Sequence, residues 1–508
     1  CIMGVFQNNL MGAAAAAGSA AAGDFYTYQI PYSCRFDGTG NLERTYSGSP
    51  TSTTTGTLSV WFKKSANGNA DSMFTSGNGS GDKELNFRIL DDNTMRLNIY
   101  NGSSQVGSII STGLFRDPSA WYHLLALWDT SQATAANRLK MYVNGTQVTD
   151  LSDSTYPAQD QASYMFADGR KVGIGWQTWN SSGNVKGYLA EAYGIDGIAY
   201  TPSTFGETKN GVWIPKDASS SVTFGNGGFY LKFESSGDLG NDSSGNNNDF
   251  AETNVAASDQ MLDSPTFSAT DGNGGNFCTY NFLNKGTATT ISEGNLKVTG
   301  SSANATMPSG TMAFTSGKWY FERYISAYSS GYPYMGLAAI GNVTQTVSSG
   351  GDIWATRFNP VDGTVIVNSG AQITGFGTIT PVSTGLATAT TGDIIAFHLD
   401  CDNRKCWITK NGAFVNSGDP SAGTNPQWSW TATPINPITF FDQLHTSSSS
   451  ILNAGQDGTF AGAVTAQGNA DENGYGNFYY APDTGFLAIC AANLPTAAEV
   501  DPAQTDDN

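Results

Sequence analysis

The stretches "RLKMYVNGTQV" (138–148) and "RKCWITKNGAFV" (404–415) follow one pattern: a basic residue, an extended run, Asn-Gly, and a second extended run. Asn-Gly between apolar runs is the strongest short-range signal for a two-residue hairpin. Both central residues of a type I′ turn need positive φ, which glycine adopts without penalty and asparagine tolerates better than most. Asn144-Gly145 and Asn411-Gly412 are therefore expected to close hairpins. The likeness continues upstream, where "WYHLLALWD" (121–129) and "GDIIAFHLD" (392–400) are long apolar strands ending in Asp129 and Asp400. The same devices in the same order imply two domains of related architecture.

Composition agrees. Gly is 60 of 508 residues, aromatic content is 12%, and long helical-period runs are missing, which favours short strands and tight turns. The expected fold class is all-β: two antiparallel jelly-roll-like β-sandwiches in tandem behind a short Ala-rich N-terminal segment. Composition shifts divide the chain into an N-terminal anchoring or assembly segment (1–33), a first sandwich (34–234), a Gly/Ser/Asn-rich connector (235–276), a second sandwich (277–465), and a C-terminal packing segment with an acidic tail (466–508). The connector is poor in apolar residues and is not expected to fold alone, although it could be pinned on the first sandwich.

Lys and Arg number 24 against 43 Asp and Glu, a net charge of −19. That sign repels nucleic acid and anionic membrane, so neither is expected as a partner. The run "LMGAAAAAGSAAAG" (10–23) would span roughly 20 Å as a helix, short of a bilayer core. After Leu10 and Met11 it has only small side chains, and it is expected to pack on copies of itself or on a partner. The cysteines are too scattered for a disulfide scaffold. Cys401 and Cys406 flank "DNRK" and are expected to face each other across a hairpin, as a bridge or as two thiols. His123, His398 and His445 give no metal spacing, and His123 and His398 fall inside expected strands.

The second domain resembles the SPRY family in "GKWYFERYIS" (317–326), "YMGLAAIG" (334–341), "GDIIAFHLDCDNRKCWITKNGAFV" (392–415) and "NPITFF" (436–441), taken in that order. The resemblance implies a bent sandwich that binds through loops and does no catalysis. The first domain resembles laminin-G and concanavalin-A-like sandwiches in "LSVWFKKS", "WYHLLALWDTSQATAANRLKMYVNGTQV" and "GYLAEAYGIDGIAYTPSTFGE". This resemblance implies a calcium ion as the one cofactor to look for. "DGTG" (37–40) and Asp129 are acidic loop positions, without an assignable ligand set. The whole arrangement, including "GFYLKFESSGDLGNDSSGNNNDF" and "GFLAICAANLP", resembles virion proteins of tailed bacteriophages from aquatic settings. That implies an external tail or capsid fibre or spike on the virion exterior. It would be a homo-oligomer, trimer favoured, held to other virion proteins through residues 1–30 and binding host-surface glycan or protein. A purely architectural decorating protein is the alternative.

Sugars stack on exposed aromatic faces. The candidates near expected loops are Trp176 and Trp179 in "GWQTWNSSG", Tyr332 and Tyr334 in "SSGYPYMG", and Trp428 and Trp430 in "NPQWSWTAT". Against each stands the general tendency of such residues to fill sandwich cores. A glycan hydrolase would need two carboxylates flanking one bond. Glu191 and Asp196 in "YLAEAYGID" have a spacing that puts them on opposite faces of a continuous strand, so no catalytic residue is assigned and the chain is read as a non-enzyme.

Overall fold

The computed structural model describes residues 25–79, 82–178, 183–286, 288–301, 308–328, 334–339, 355–359, 364–367, 379–381, 388–431 and 437–494. Regular structure among them is strand, with single turns of 3-10 helix. The fold is all-β and jelly-roll-like.

Two eight-stranded sheets are built from residues 33–261. The first contains Ser33–Asp37, Thr55–Lys64, Trp121–Asp129, Leu139–Val143 and Lys186–Asp196. The second contains Asn41–Thr45, Asp71–Ser76, Glu84–Ile89, Thr94–Asn101, Ser104–Leu114 and Lys171–Ile174. Between them lies one core, with Leu58, Phe62, Leu124 and Trp128 from the first sheet against Phe74, Phe87, Leu97 and Ile174 from the second. Residues 289–488 form a ten-stranded and a four-stranded sheet that share no strand with the first pair. Phe321, Phe397 and Ile408 there meet Met335, Leu337 and Phe440.

Both Asn-Gly pairs sit in the expected turns. Asn144 and Gly145 have φ of 47° and 79°, and Asn411 and Gly412 have 50° and 78°. Val143 pairs with Thr146, and Lys410 with Ala413.

The region expected to be poor in packing residues is woven into the fold. Ala251–Thr253 pairs with Asn41–Thr45, and Gln260–Met261 with Ser33–Asp37. Phe250, Met261, Leu262 and Phe267 are buried. The outer face of the first sheet is also covered: Trp61, Trp121 and Tyr188 pack with Ile394, Ile451 and Phe460 from the other half of the chain. Buried charges cross this junction fully paired. Lys63 Nζ donates to Asp263 Oδ2 at 2.5 Å and Asn276 Oδ1 at 2.6 Å, while Trp121 Nε1 donates to Asp263 Oδ1 at 2.9 Å. Arg35 binds both Asp259 and Asp457. Losing one partner of such a pair leaves an uncompensated buried charge, so these contacts fix how the halves meet.

Segment 466–494 closes over the ten-stranded sheet. Leu487–Ala488 adds in parallel to Lys318–Ala327, and the buried Glu322 accepts the amides of Tyr479 at 2.9 Å and Tyr480 at 2.7 Å.

Two expectations need correction. Cys401 and Cys406 do not face each other: Leu399 pairs with Cys406 and Asp400 with Lys405, so Cys401 lies in the turn beyond the ladder. Both thiols are free and buried. The strand Lys186–Asp196 is not continuous either. A bulge between Ala190 and Tyr193 interrupts its register, with Glu191 at φ 53°.

Candidate functional site

In the second sheet, alternate residues of neighbouring strands point to opposite faces. Leu85, Phe87 and Ile89, and likewise Met95, Leu97 and Ile99, enter the core. Asn86 and Arg88, and Arg96 and Asn98, therefore project from the other face. Register aligns them across the sheet. Thr75 pairs with Asn86, Asn86 with Asn98, and Asn98 with Ser108, making one polar row over four strands. Strands lie about 4.8 Å apart, so the row is about 14 Å long. Beside it runs a second row, Ser72–Arg88–Arg96.

Most of this polar chemistry is unspent. Asn98 and Ser108 are 0% exposed and Asn86 is 1% exposed. Yet both amide atoms of Asn98, Oγ of Ser108, Oδ1 of Asn86, Oγ of Ser72, and Nε of Arg88 and of Arg96 make no hydrogen bond among the described residues. Leaving a buried polar atom unsatisfied costs about 1–3 kcal/mol, and folded proteins keep few of them. These groups are concentrated on one face of the sheet.

One end of the rows is walled by the loop after Lys171–Ile174. Thr75 Oγ1 donates to the Trp176 carbonyl at 2.8 Å. Trp176 is half-buried, and its indole Nε1 and the Thr178 hydroxyl are also unpaired. Gly173 makes this close approach possible, since a Cβ there would sit 2.6 Å from Thr178 Cγ2 and 2.7 Å from Trp176 Nε1. The arrangement offers amide, hydroxyl and guanidinium groups beside an indole. Such a surface suits a ligand that presents many hydroxyls and an apolar ring face.

Among the described residues, Trp176 is the one aromatic singled out from sequence that meets this face. Trp179 and Tyr332 lie outside the described residues. Tyr334 opens the strand Tyr334–Ala339 and is half-buried. Trp428 and Trp430 are core residues at 1% and 4% exposure, and Trp428 packs on Phe397. Two residues apart on one strand, they share a face, and it is the inner one; no ring face is left for a sugar.

Glu191 and Asp196 hold structure. Glu191 accepts hydrogen bonds from the hydroxyls of Tyr28 (2.9 Å), Tyr193 (3.0 Å) and Tyr230 (2.6 Å), and burial pushes its carboxyl up to about 7. Asp196 accepts the amides of Thr51 (2.7 Å), Ser52 (3.1 Å) and Gly227 (3.0 Å). Among the described residues they share no partner.

The acidic loop positions named for calcium are engaged within their own loops. Asp37 Oδ1 is taken by the Thr39 and Gly40 amides, and Asp129 by Ser131 and Gln132. Among the described residues no group of three or more His, Cys, Asp or Glu could hold a metal. His123 is buried at the junction of Ser59 and Trp213, which pushes its imidazole down to about 3.

Residues 37–192 match the family model described as the concanavalin A-like lectin/glucanases superfamily, Laminin_G_3. The matched stretch contains all of the polar rows. Among solved structures the chain is similar to the SPRY domain of human HERC1 (14% identity, 34% of this chain and 96% of that one, TM-score 0.25). It is also similar to domains LG4-5 of the mouse laminin alpha1 chain (12% identity, 81% and 82%, TM-score 0.27). A third similarity is to the CBM40 of the Ruminococcus gnavus IT-sialidase (13% identity, 29% and 83%, TM-score 0.22). No curated protein matches the chain.

Proposed function

We propose that the chain is a non-catalytic glycan-binding protein whose site is the polar face of the second sheet. The observation that carries this reading is the buried row Asn86–Asn98–Ser108, in which Oδ1 of Asn86, both amide atoms of Asn98 and Oγ of Ser108 have no hydrogen-bond partner among the described residues. A sugar would lie along this face on the half-buried Arg88, Arg96 and Trp176, and hydroxyls that reach down to the row would satisfy its groups. The match of residues 37–192 to a lectin/glucanase superfamily supports it. The sequence resemblance to phage virion proteins supports placing the chain on a virion exterior, as an oligomeric fibre or spike that contacts host-surface glycan. Repeated copies would raise weak single-site binding through effective concentration.

The test is titration of the protein with panels of oligosaccharides, followed by the same titration of N98A and S108A. Binding by the parent chain that drops at least tenfold in both variants, with unchanged thermal midpoints, is the expected result. Full binding in both variants would remove the site from this face.

A further inference from the structure

Arg88 and Arg96 lie directly opposite each other on neighbouring strands of the polar face. Directly opposed residues have Cβ atoms about 4.5–5.5 Å apart, and like charges so placed repel. Basic residues are the scarcer sign in this chain, 24 against 43 acidic. Several buried or half-buried cations pair with a carboxylate: Lys63 with Asp263, Lys64 with Asp71, Arg35 with Asp259, Arg170 with Asp82. Arg88 and Arg96 form no ion pair among the described residues, and the Nε of each is buried without a hydrogen bond. Arg96 reaches Gln105 through Nη2. Glu84 faces the same side but bonds Asn86 at 3.2 Å instead of either arginine. Burial and the neighbouring Arg96 charge both lower the Arg88 pKa, with Glu84 and Asp91 only partly opposing them.

Resting on the glycan-binding reading, we propose that this arginine pair selects sugars carrying an oxyanion, a carboxylate or a sulfate, over their neutral counterparts. A guanidinium offers a planar fork of donors that matches two oxygens at once. An anion between the two forks would relieve their repulsion. The Asn86–Asn98–Ser108 row alongside would hold the hydroxyls of the same sugar or the next.

The test is calorimetric titration with three sets of oligosaccharides: galacturonate oligomers, sulfated dextran oligomers, and neutral galactose and dextran oligomers of the same lengths. An acidic set should bind at least tenfold tighter than its neutral counterpart, with a preference that weakens as salt rises. Comparing the carboxylate and sulfate sets identifies which oxyanion is read. In R88Q and R96Q the preference should disappear, with acidic and neutral sets binding each variant alike at an unchanged thermal midpoint. R96K keeps the charge without the fork and should retain part of the preference. Equal binding of acidic and neutral sets, or a preference that survives R88Q and R96Q, overturns the selection and leaves the glycan site standing. No binding by any set overturns both.

Discussion

Asn144 and Asn411 occupy equivalent places in the two sandwiches: each sits at positive φ and bonds twice to a third strand. Asn144 N donates to the His123 carbonyl at 2.9 Å, and its Oδ1 accepts the His123 amide at 2.8 Å. Asn411 does the same with Ile394, at 2.8 and 2.9 Å. The asparagine thus makes the turn and also continues the sheet's hydrogen bonding past the end of the hairpin. N411P forces negative φ and removes the amide donor, so it should destabilise the second sandwich by about 3 kcal/mol or more. N411G keeps the turn conformation and loses only the side-chain bonds, so it should cost about 1–2 kcal/mol. Urea unfolding followed by tryptophan fluorescence checks both. Equal losses for the two variants would show that the backbone conformation is not what the position requires.

The hairpins could be read from sequence because positive φ is a local demand met by local residues. The polar rows could not be read the same way, although their raw signal is present. "LNFRI" (85–89) and "RLNI" (96–99) place Asn and Arg two residues apart in opposite orders. Antiparallel pairing therefore sets Asn86 against Asn98 and Arg88 against Arg96. Seeing that requires the register, which Ser72–Phe74 and other bulges shift in ways that composition does not reveal. Trp428 and Trp430 show the converse problem. Their spacing fixes a shared face, but which face is inner depends on the strands packed over it. The connector looked unable to fold because its few large residues, Phe250, Met261 and Phe267, are diluted among polar ones. Those few fill places on surfaces that the sandwiches have already built.

Arg323 and Asp442 pair inside the second core, both at 0% exposure. Tyr280, Phe321, Phe397 and Phe440 surround the guanidinium with ring centroids 5.0–5.7 Å away. Tyr280 donates its hydroxyl to Asp442 at 2.7 Å. R323M strands a buried carboxylate and should cost about 3–5 kcal/mol. Adding D442L in the same chain should recover part of that loss, because an apolar pair needs no solvation. A double variant as unstable as R323M alone would show that the site needs the charge for its shape.

Cys34, Cys278, Cys401, Cys406 and Cys490 are free and buried. Burial pushes the Cys406 and Cys34 thiols up. Thiolate is the reactive form, so these groups should be inert in the folded chain. A C1S variant treated with a thiol reagent under native conditions should show no labelling, and the full signal should appear only on unfolding. Labelling of Cys401 or Cys406 without unfolding would mean that the turn after Asp400 opens on its own.

Two buried carboxyls make stability depend on pH. Glu191 and Glu322 are each raised from 4.5 to about 7, in both cases chiefly by burial and against the pull of their hydrogen bonds. Between these values the folded chain holds protons that the unfolded chain has released. The unfolded state then binds fewer protons than the native state, so unfolding free energy falls as pH rises. The stabilisation is full below about pH 4.5 and is lost as pH climbs through about 7. E191Q keeps the shape and some of the tyrosine contacts without the ionisation. Its stability should fall less than the parent's between pH 5 and 8, with the two curves running parallel above that range. E322Q should flatten the curve in the same way, and it should also loosen segment 479–480, which the carboxylate holds by two amides. Denaturant midpoints measured at half-unit pH steps decide the matter. A parent curve no steeper than that of the E191Q/E322Q double variant across this window would mean that neither carboxyl carries the proton at neutral pH.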